Sequence, residues 1–155
     1  MTVSKLIVQF GIALLAIPAV LTANNPASAQ QCSPKTTEGR YLVICDGFLV
    51  PGPNAPLLPS KLLATVTSDE NGTFRSSDSR LTIGGTFLHQ VIVGTEVLSP
   101  DCTGTITYAV TVNGQPAPPL NFAFVVSENG KQIDGLGIDP GTVFSCRLSR
   151  MPPLE

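Results

Sequence analysis

Ten residues near the middle of the chain alternate between apolar side chains and mostly threonine. The segment 103–112 places Ile106, Tyr108 and Val110 on one parity and four threonines on the other. A period of two puts successive side chains on opposite faces of a β-strand. An Asn-Gly pair, typical of tight hairpin turns, follows at 113–114. The segment therefore predicts one wall of an antiparallel β-sheet protein.

Seven further segments repeat this combination of an apolar-rich strand and a turn rich in glycine, proline or asparagine. The predicted strands cover residues 41–50, 62–67, 73–83, 86–98, 103–112, 121–127, 131–138 and 142–149. The proline-rich segments 51–60 and 113–119 are predicted as loops, because proline cannot donate a backbone hydrogen bond to a sheet. Eight strands joined by short turns predict an all-β fold, an eight-stranded antiparallel up-and-down barrel, since closure removes exposed strand edges. A β-sandwich is the alternative.

The first 29 residues have the features of a secretory signal peptide. Lys5 precedes an apolar run over residues 6–23, and Ala27-Ser28-Ala29 matches a cleavage site. A retained membrane anchor is the alternative, since the apolar run could almost span a bilayer. The cleavage site favours export, so we expect a secreted or periplasmic protein with no stable membrane anchor after cleavage.

Residues 30–155 are expected to form a single domain, with an N-terminal arm at 30–39 and a short tail at 150–155. Lys5 is the one charged residue of the leader, so the domain has a net charge of −3, against −2 for the whole chain. The domain contains no cluster of basic residues. This charge pattern argues against nucleic acid as a partner.

All four cysteines lie after the leader, which favours two disulfides in an oxidising compartment. A zinc site is the alternative, but no two cysteines have the short spacing of zinc ligands, and the single histidine is distant in sequence. In a closed barrel, the turn that contains Cys102 lies at the same end as the arm that contains Cys32. Cys45 and Cys146 lie within the first and last strands, which closure makes neighbours. The predicted disulfides are therefore Cys32–Cys102 and Cys45–Cys146, with no metal.

Three segments resemble a group of small secreted bacterial proteins. They are Asp101–Tyr108 (DCTGTITY), Asn113–Leu120 (NGQPAPPL) and Asp139–Leu148 (DPGTVFSCRL). That group is similar to the allene oxide cyclase and calycin-like barrels, whose enzymes hold an apolar ligand in the barrel interior and steer a cyclisation. The resemblance implies a calycin-like barrel. No catalytic motif of those enzymes matches residue by residue, so the resemblance implies no active site.

The fourth predicted strand has apolar residues on both faces. One face carries Phe87, Val91, Val93 and Val97, and the other carries Leu88, Ile92 and Leu98. We take the first face as the interior, which leaves Glu96 in solvent. The opposite assignment would bury the Glu96 carboxyl as a candidate acid or base. Gly94 in this strand is predicted to form a bulge or bend.

Two other side chains are candidates for ligand binding. His89 is the one histidine of the chain, and histidine is a common general acid or base in catalysis, but no nucleophile motif accompanies it, so a surface or structural histidine is favoured. Tyr108 shares the apolar face of its strand, so its ring should point inward, where its hydroxyl needs a partner. The ligand-binding candidates are therefore Tyr108, His89 and Glu96, and we assign no catalytic residue.

Two functions are consistent with the sequence. The first is a non-catalytic exported barrel that binds a small apolar ligand or a protein partner, and that could form a homo-oligomer. The second is an isomerase or cyclase that uses interior polar groups such as Tyr108. We favour the first, because no constellation of catalytic residues is visible, and we expect no cofactor. The barrel interior decides between them, since a completely filled interior has no room for a ligand.

Overall fold

The computed structural model describes residues 31–50, 52 and 54–153, and it shows a closed barrel of eight antiparallel strands. The strands are β1 (Gly39–Leu49), β2 (Leu58–Ser68), β3 (Thr73–Ile83), β4 (Thr86–Leu98), β5 (Thr103–Val112), β6 (Gln115–Ser127), β7 (Gln132–Gly137) and β8 (Thr142–Arg150). Each strand pairs with the next, and β8 pairs with β1. The predicted up-and-down barrel is confirmed, and the β-sandwich alternative is wrong. The predicted signal peptide at 1–29 lies outside the described residues.

Strands β2 and β6 begin earlier than the sequence predicts, and both include prolines that the sequence places in loops. In β6, Pro116 lies opposite Thr111 of β5, and a register shift between Tyr108 and Val110 accommodates the prolines that follow. Strand β7 reaches only to a residue opposite Phe122, so the first half of β6 has β5 as its paired neighbour. A strand edge tolerates proline, because no backbone donor is needed there.

The N-terminal arm contains a short helix, α1 (Pro34–Thr37), where the sequence predicts only a polar lead-in. Proline suits the first turn of a helix, because its missing N–H would have no partner there. Helix α1 packs against β4 and against a 3₁₀ turn at Glu128–Gly130. It covers the end of the barrel that contains the turns after β2, β4 and β6, which we call the arm end. The other end, with the connections after β1, β3, β5 and β7, is the loop end.

The inner face of β4 is the opposite of the one that the sequence favours. Ile92 is 7% exposed, whereas Phe87 is 63% exposed and the three valines of its face also point outward. The register between β4 and β5 places Ile92 beside Val110, so the inner face of β4 continues the apolar face of β5. Gly94 lies in regular pairing with Tyr108 and forms no bulge. The predicted inner face and the predicted bulge are therefore wrong, whereas the predicted bounds of the strand, 86–98, are confirmed.

Both predicted disulfides are present. Cys45 and Cys146 lie opposite each other across the pairing of β1 with β8, with their Cα atoms 4.1 Å apart. Cys32 joins the arm to Cys102 in the turn after β4, with a Cα–Cα distance of 5.0 Å. One bridge therefore crosslinks the barrel wall, and the other attaches α1 to the arm end.

Candidate functional site in the barrel interior

The barrel encloses an apolar cavity of about 70 Å³ near its centre. Its wall is made by side chains from most of the strands, among them Val43, Leu62, Ile92, Val110, Phe122 and Phe124. A water molecule occupies about 30 Å³ in the liquid, and sites for drug-sized ligands span about 300 to 1,000 Å³. The interior is therefore neither filled nor wide open, and it has room for a ligand of a few heavy atoms.

Tyr108 projects from β5 and lines this cavity, so its predicted inward orientation is confirmed. Its ring contacts Phe122 edge to face, with the centroids 5.8 Å apart. It also lies over Gly94, where a Cβ atom would approach the ring Cδ1 to 2.5 Å. The hydroxyl makes no hydrogen bond with any described residue. Burial raises the pKa of Tyr108, and the charge of Glu96 adds to the shift, so the group is a neutral phenol.

Gln90 is a second polar group on the cavity wall, and sequence reasoning missed it. Its side chain is 4% exposed, and its Oε1 atom has no hydrogen-bond partner among the described residues. Ser79, which lies opposite on β3, is also buried with an unpartnered hydroxyl. A buried polar group without a partner costs about 1–3 kcal/mol. Gln90 lies two residues before Ile92 and therefore on the same face of β4. The sequence could have indicated its inward position only if the inner face of β4 had been assigned correctly.

Glu96 is buried, so the expectation of a solvated carboxylate is wrong. It is 6% exposed, and the Thr37 hydroxyl of α1 donates a hydrogen bond of 2.6 Å to its Oε1. Its Oε2 has no partner among the described residues. Burial raises the pKa of Glu96, while the hydrogen bond from Thr37 partly opposes the shift. The carboxyl lies at the arm end beyond the cavity wall, against Gly72, whose added Cβ would meet Glu96 Cγ at 2.6 Å.

Tyr41 and Arg150 hold the arm end together. Tyr41 is fully buried, and its hydroxyl donates to the carbonyl oxygen of Gly130 at 2.8 Å. The guanidinium of Arg150 donates to the Tyr41 hydroxyl at 2.8 Å, to the Gly130 carbonyl at 3.0 Å and to the Thr36 carbonyl at 2.8 Å. These bonds join β1, β8, α1 and the 3₁₀ turn. The cluster stabilises the covered end and presents no free nucleophile.

His89 lies on the outside of the barrel. Its Nε2 atom is 3.4 Å from a carboxylate oxygen of Asp78, and about half of its side chain is exposed. The expectation of a surface histidine is confirmed. The three sequence candidates therefore do not form one site: Tyr108 lines the cavity, Glu96 lies beyond it at the arm end, and His89 faces solvent.

The fold and interior define a class of protein, a closed eight-stranded β-barrel with two disulfides and a small apolar cavity. The chain matches no protein-family model, and comparison with curated proteins and with solved structures finds no significant match. Within the described ranges, no group of three or more histidine, cysteine, aspartate or glutamate side chains could hold a metal ion. Over the same ranges, no helix has the length and apolar character needed to cross a membrane. The two disulfides fit an oxidising environment.

Proposed function

We propose that the protein is an exported, non-catalytic barrel that binds a small, mainly apolar ligand in its interior. Export is supported by the leader at residues 1–29 and by two disulfides that link distant parts of the chain. Binding is supported by one observation above all: an apolar cavity carries the Tyr108 hydroxyl and the Gln90 Oε1, and neither atom has a hydrogen-bond partner among the described residues.

The unpartnered groups favour a ligand with one polar function. A phenol hydroxyl and an amide that are left unpaired in an apolar surrounding each lose hydrogen-bond energy. A small alcohol or carbonyl compound would form hydrogen bonds with these groups and so restore that energy. Its hydrocarbon part would fill the space beside Ile92 and Val110. Ordered water is the competing occupant, and it would satisfy the polar groups without filling the apolar wall.

An isomerase or cyclase similar to the allene oxide cyclases is the second candidate. The observation in its favour is the buried Glu96 carboxyl, whose negative charge contributes to the raised pKa of Tyr108. Against it, Glu96 does not line the cavity, and its Oε1 is occupied by the hydroxyl of Thr37. A general acid or base must lie within hydrogen-bond reach of the substrate. The non-catalytic function is therefore the better supported of the two.

The proposal is tested with two probes of the cavity, xenon and 1-propanol, followed by NMR of the backbone amides. We expect both to perturb amides around Ile92 and Val110. Tyr108→Phe and Gln90→Leu should each weaken the binding of 1-propanol about five- to ten-fold, which is the equivalent of one neutral hydrogen bond. Neither substitution should change the affinity for xenon. Thr105→Val, an outward-facing residue of the same strand, is the matched control.

Native mass spectrometry of protein purified from its source gives the complementary result. We expect a retained small molecule in the wild-type protein and a lower occupancy in Tyr108→Phe. If neither probe perturbs the interior amides and the native mass equals that of the polypeptide alone, the binding proposal is wrong. Catalytic turnover of a bound compound that is lost in Glu96→Gln would instead support the isomerase.

A further inference from the structure

Strand β3 contains a bulge, which changes its pairing with both neighbouring strands. On the β2 side, the pairing changes register between Ala64, opposite Ser79, and Thr67, opposite Arg75. On the β4 side, the pairing changes register over the same part of β3, between Ser76 and Ser79. A bulge bends its strand and opens the ladder locally. The bulge in β3 therefore disrupts the regular pairing with β2 and β4 at this point of the closed barrel.

An open polar hollow of about 370 Å³ lies beside this bulge. Arg40 of β1 and Arg75 of β3 border it from two sides, and Thr67 lies opposite both of them in the sheet. Neighbouring strands are about 4.8 Å apart, so the two arginines come from backbones about 10 Å apart. Their guanidinium groups can therefore approach one ligand from opposite sides.

Neither guanidinium group is in direct contact with an acid of the described residues. In the part of the chain that the structure describes, neither Arg40 nor Arg75 makes an ion pair or a side-chain hydrogen bond. Asp78 also borders the hollow, but its carboxylate is engaged by Arg80 at 3.2 Å and by His89 at 3.4 Å. Asp69, whose pKa is lowered by a backbone hydrogen bond from Thr73 and more weakly by Arg75, is the other nearby acid. The hollow therefore brings together two guanidinium groups that no acid contacts directly in the described ranges, and one carboxylate, Asp78, that is already engaged.

Hydroxyl groups complete the wall of the hollow. Thr65, Thr67 and Ser77 border it beside the two arginines. Ser76 also borders it, but it is 5% exposed and lies opposite the inward-facing Ile92, so its hydroxyl faces the barrel interior. The hydroxyls open to a ligand in the hollow are therefore those of Thr65, Thr67 and Ser77.

We propose that this hollow binds a tetrahedral oxyanion, the phosphate or sulfate ester group of a larger molecule. Guanidinium groups donate paired hydrogen bonds to such oxygens, and charge-assisted bonds of this kind are about twice as strong as neutral ones. An oxyanion with three or more free oxygens accepts from both arginines and from a hydroxyl at once. The hollow is independent of the interior cavity, so this site stands whether or not the barrel binds an apolar ligand.

The test titrates inorganic phosphate and, separately, inorganic sulfate into the protein at constant ionic strength, and follows backbone amides by NMR. We expect saturable shifts confined to residue 40 and to residues 65–67 and 75–78. Arg40→Gln with Arg75→Gln should raise the dissociation constant at least about ten-fold, since two charge-assisted contacts are lost. Arg147→Gln is the matched control, because Arg147 is an exposed arginine of β8 that does not border the hollow and is paired with Asp134.

Either oxyanion that saturates these amides supports the site, and a preference between them distinguishes a phosphate from a sulfate ester. Shifts that grow linearly with concentration, or equal binding by the double variant and the wild type, would overturn it. Acetate serves as a planar anion of single charge. Acetate that binds as tightly as phosphate would contradict the tetrahedral oxyanion. Thermal unfolding of each variant shows whether the fold is retained.

Discussion

At the residue scale, Glu96 is a buried carboxyl with few partners. An ionised carboxylate in a desolvated position needs paired charges or several hydrogen bonds, and the described residues give the Glu96 side chain one bond, from Thr37. Burial therefore raises its pKa in the folded state above the value in the unfolded chain. The folded protein retains this proton over a pH range in which the unfolded chain has already released it.

That difference predicts a specific dependence of stability on pH. The folded state binds more protons in the window between the two pKa values, so the contribution of Glu96 to stability falls as the pH rises through its ordinary range towards its raised value. Glu96→Gln removes this dependence. We expect the variant to gain stability over the wild type at neutral pH and to lose that gain in acid, as measured by urea unfolding at several pH values.

Glu70→Gln, an exposed carboxyl in the turn after β2, is the control for loss of one negative charge. A Glu96→Gln variant whose stability followed the wild type at every pH would show that the carboxyl is solvated in the folded protein.

At the scale of the elements, the packing of β4 against β5 depends on a glycine. The Tyr108 ring occupies the space where a side chain at Gly94 would project. The sequence reveals the alternation of β5, but it assigns the inner face of β4 wrongly, because valines on the outer face resemble a core. The turn at 99–102 fixes the register that pairs Ile92 with Val110 and Gly94 with Tyr108. The inner face of β4 is therefore decided by the register of its pairing with β5. This register depends on the turn and not on the hydrophobicity of β4.

Gly94→Ala is expected to destabilise the protein. The added methyl group would lie 2.5 Å from the Tyr108 ring, and overpacking of this kind typically costs about 1–3 kcal/mol. Urea unfolding measures the loss, and Tyr108→Leu in the same chain should recover part of it. Gly52→Ala is the control, because nothing lies within 4 Å of its added methyl group. Equal stability of Gly94→Ala and the wild type would mean that the ring does not occupy this position.

At the scale of the whole molecule, closure of the strand order explains both disulfides. The sequence predicts closure from the number of strands and the short turns, and closure then makes β1 and β8 neighbours. The pairing of Cys45 with Cys146 follows from that argument. The polar interior could not be predicted in the same way, because Gln90 and Glu96 are inward only in the observed register of β4 with β5.

Removal of either bridge should lower the stability without opening the barrel. The bridges span sequence separations of 70 and 101 residues, and each stabilises by about 4 kcal/mol in the chain-entropy description. We expect Cys45→Ala with Cys146→Ala, and Cys32→Ala with Cys102→Ala, to lose about 2–4 kcal/mol each in urea unfolding. Amide exchange should still show β1 paired with β8.

Non-reducing peptide mapping checks the pairing that underlies this prediction. A peptide that joined Cys32 to Cys45 would contradict both the bridges and the closure argument.

The position of the bridges also determines how the chain responds to proteolysis. Every connection between consecutive strands lies between Cys45 and Cys146 in the sequence. A single backbone cut in any of these connections therefore leaves two pieces that are still joined covalently, and a cut before Cys102 leaves them joined twice. Such a nicked molecule keeps its mass, apart from one added water, and its strand pairing, so it survives damage that would divide a chain without crosslinks.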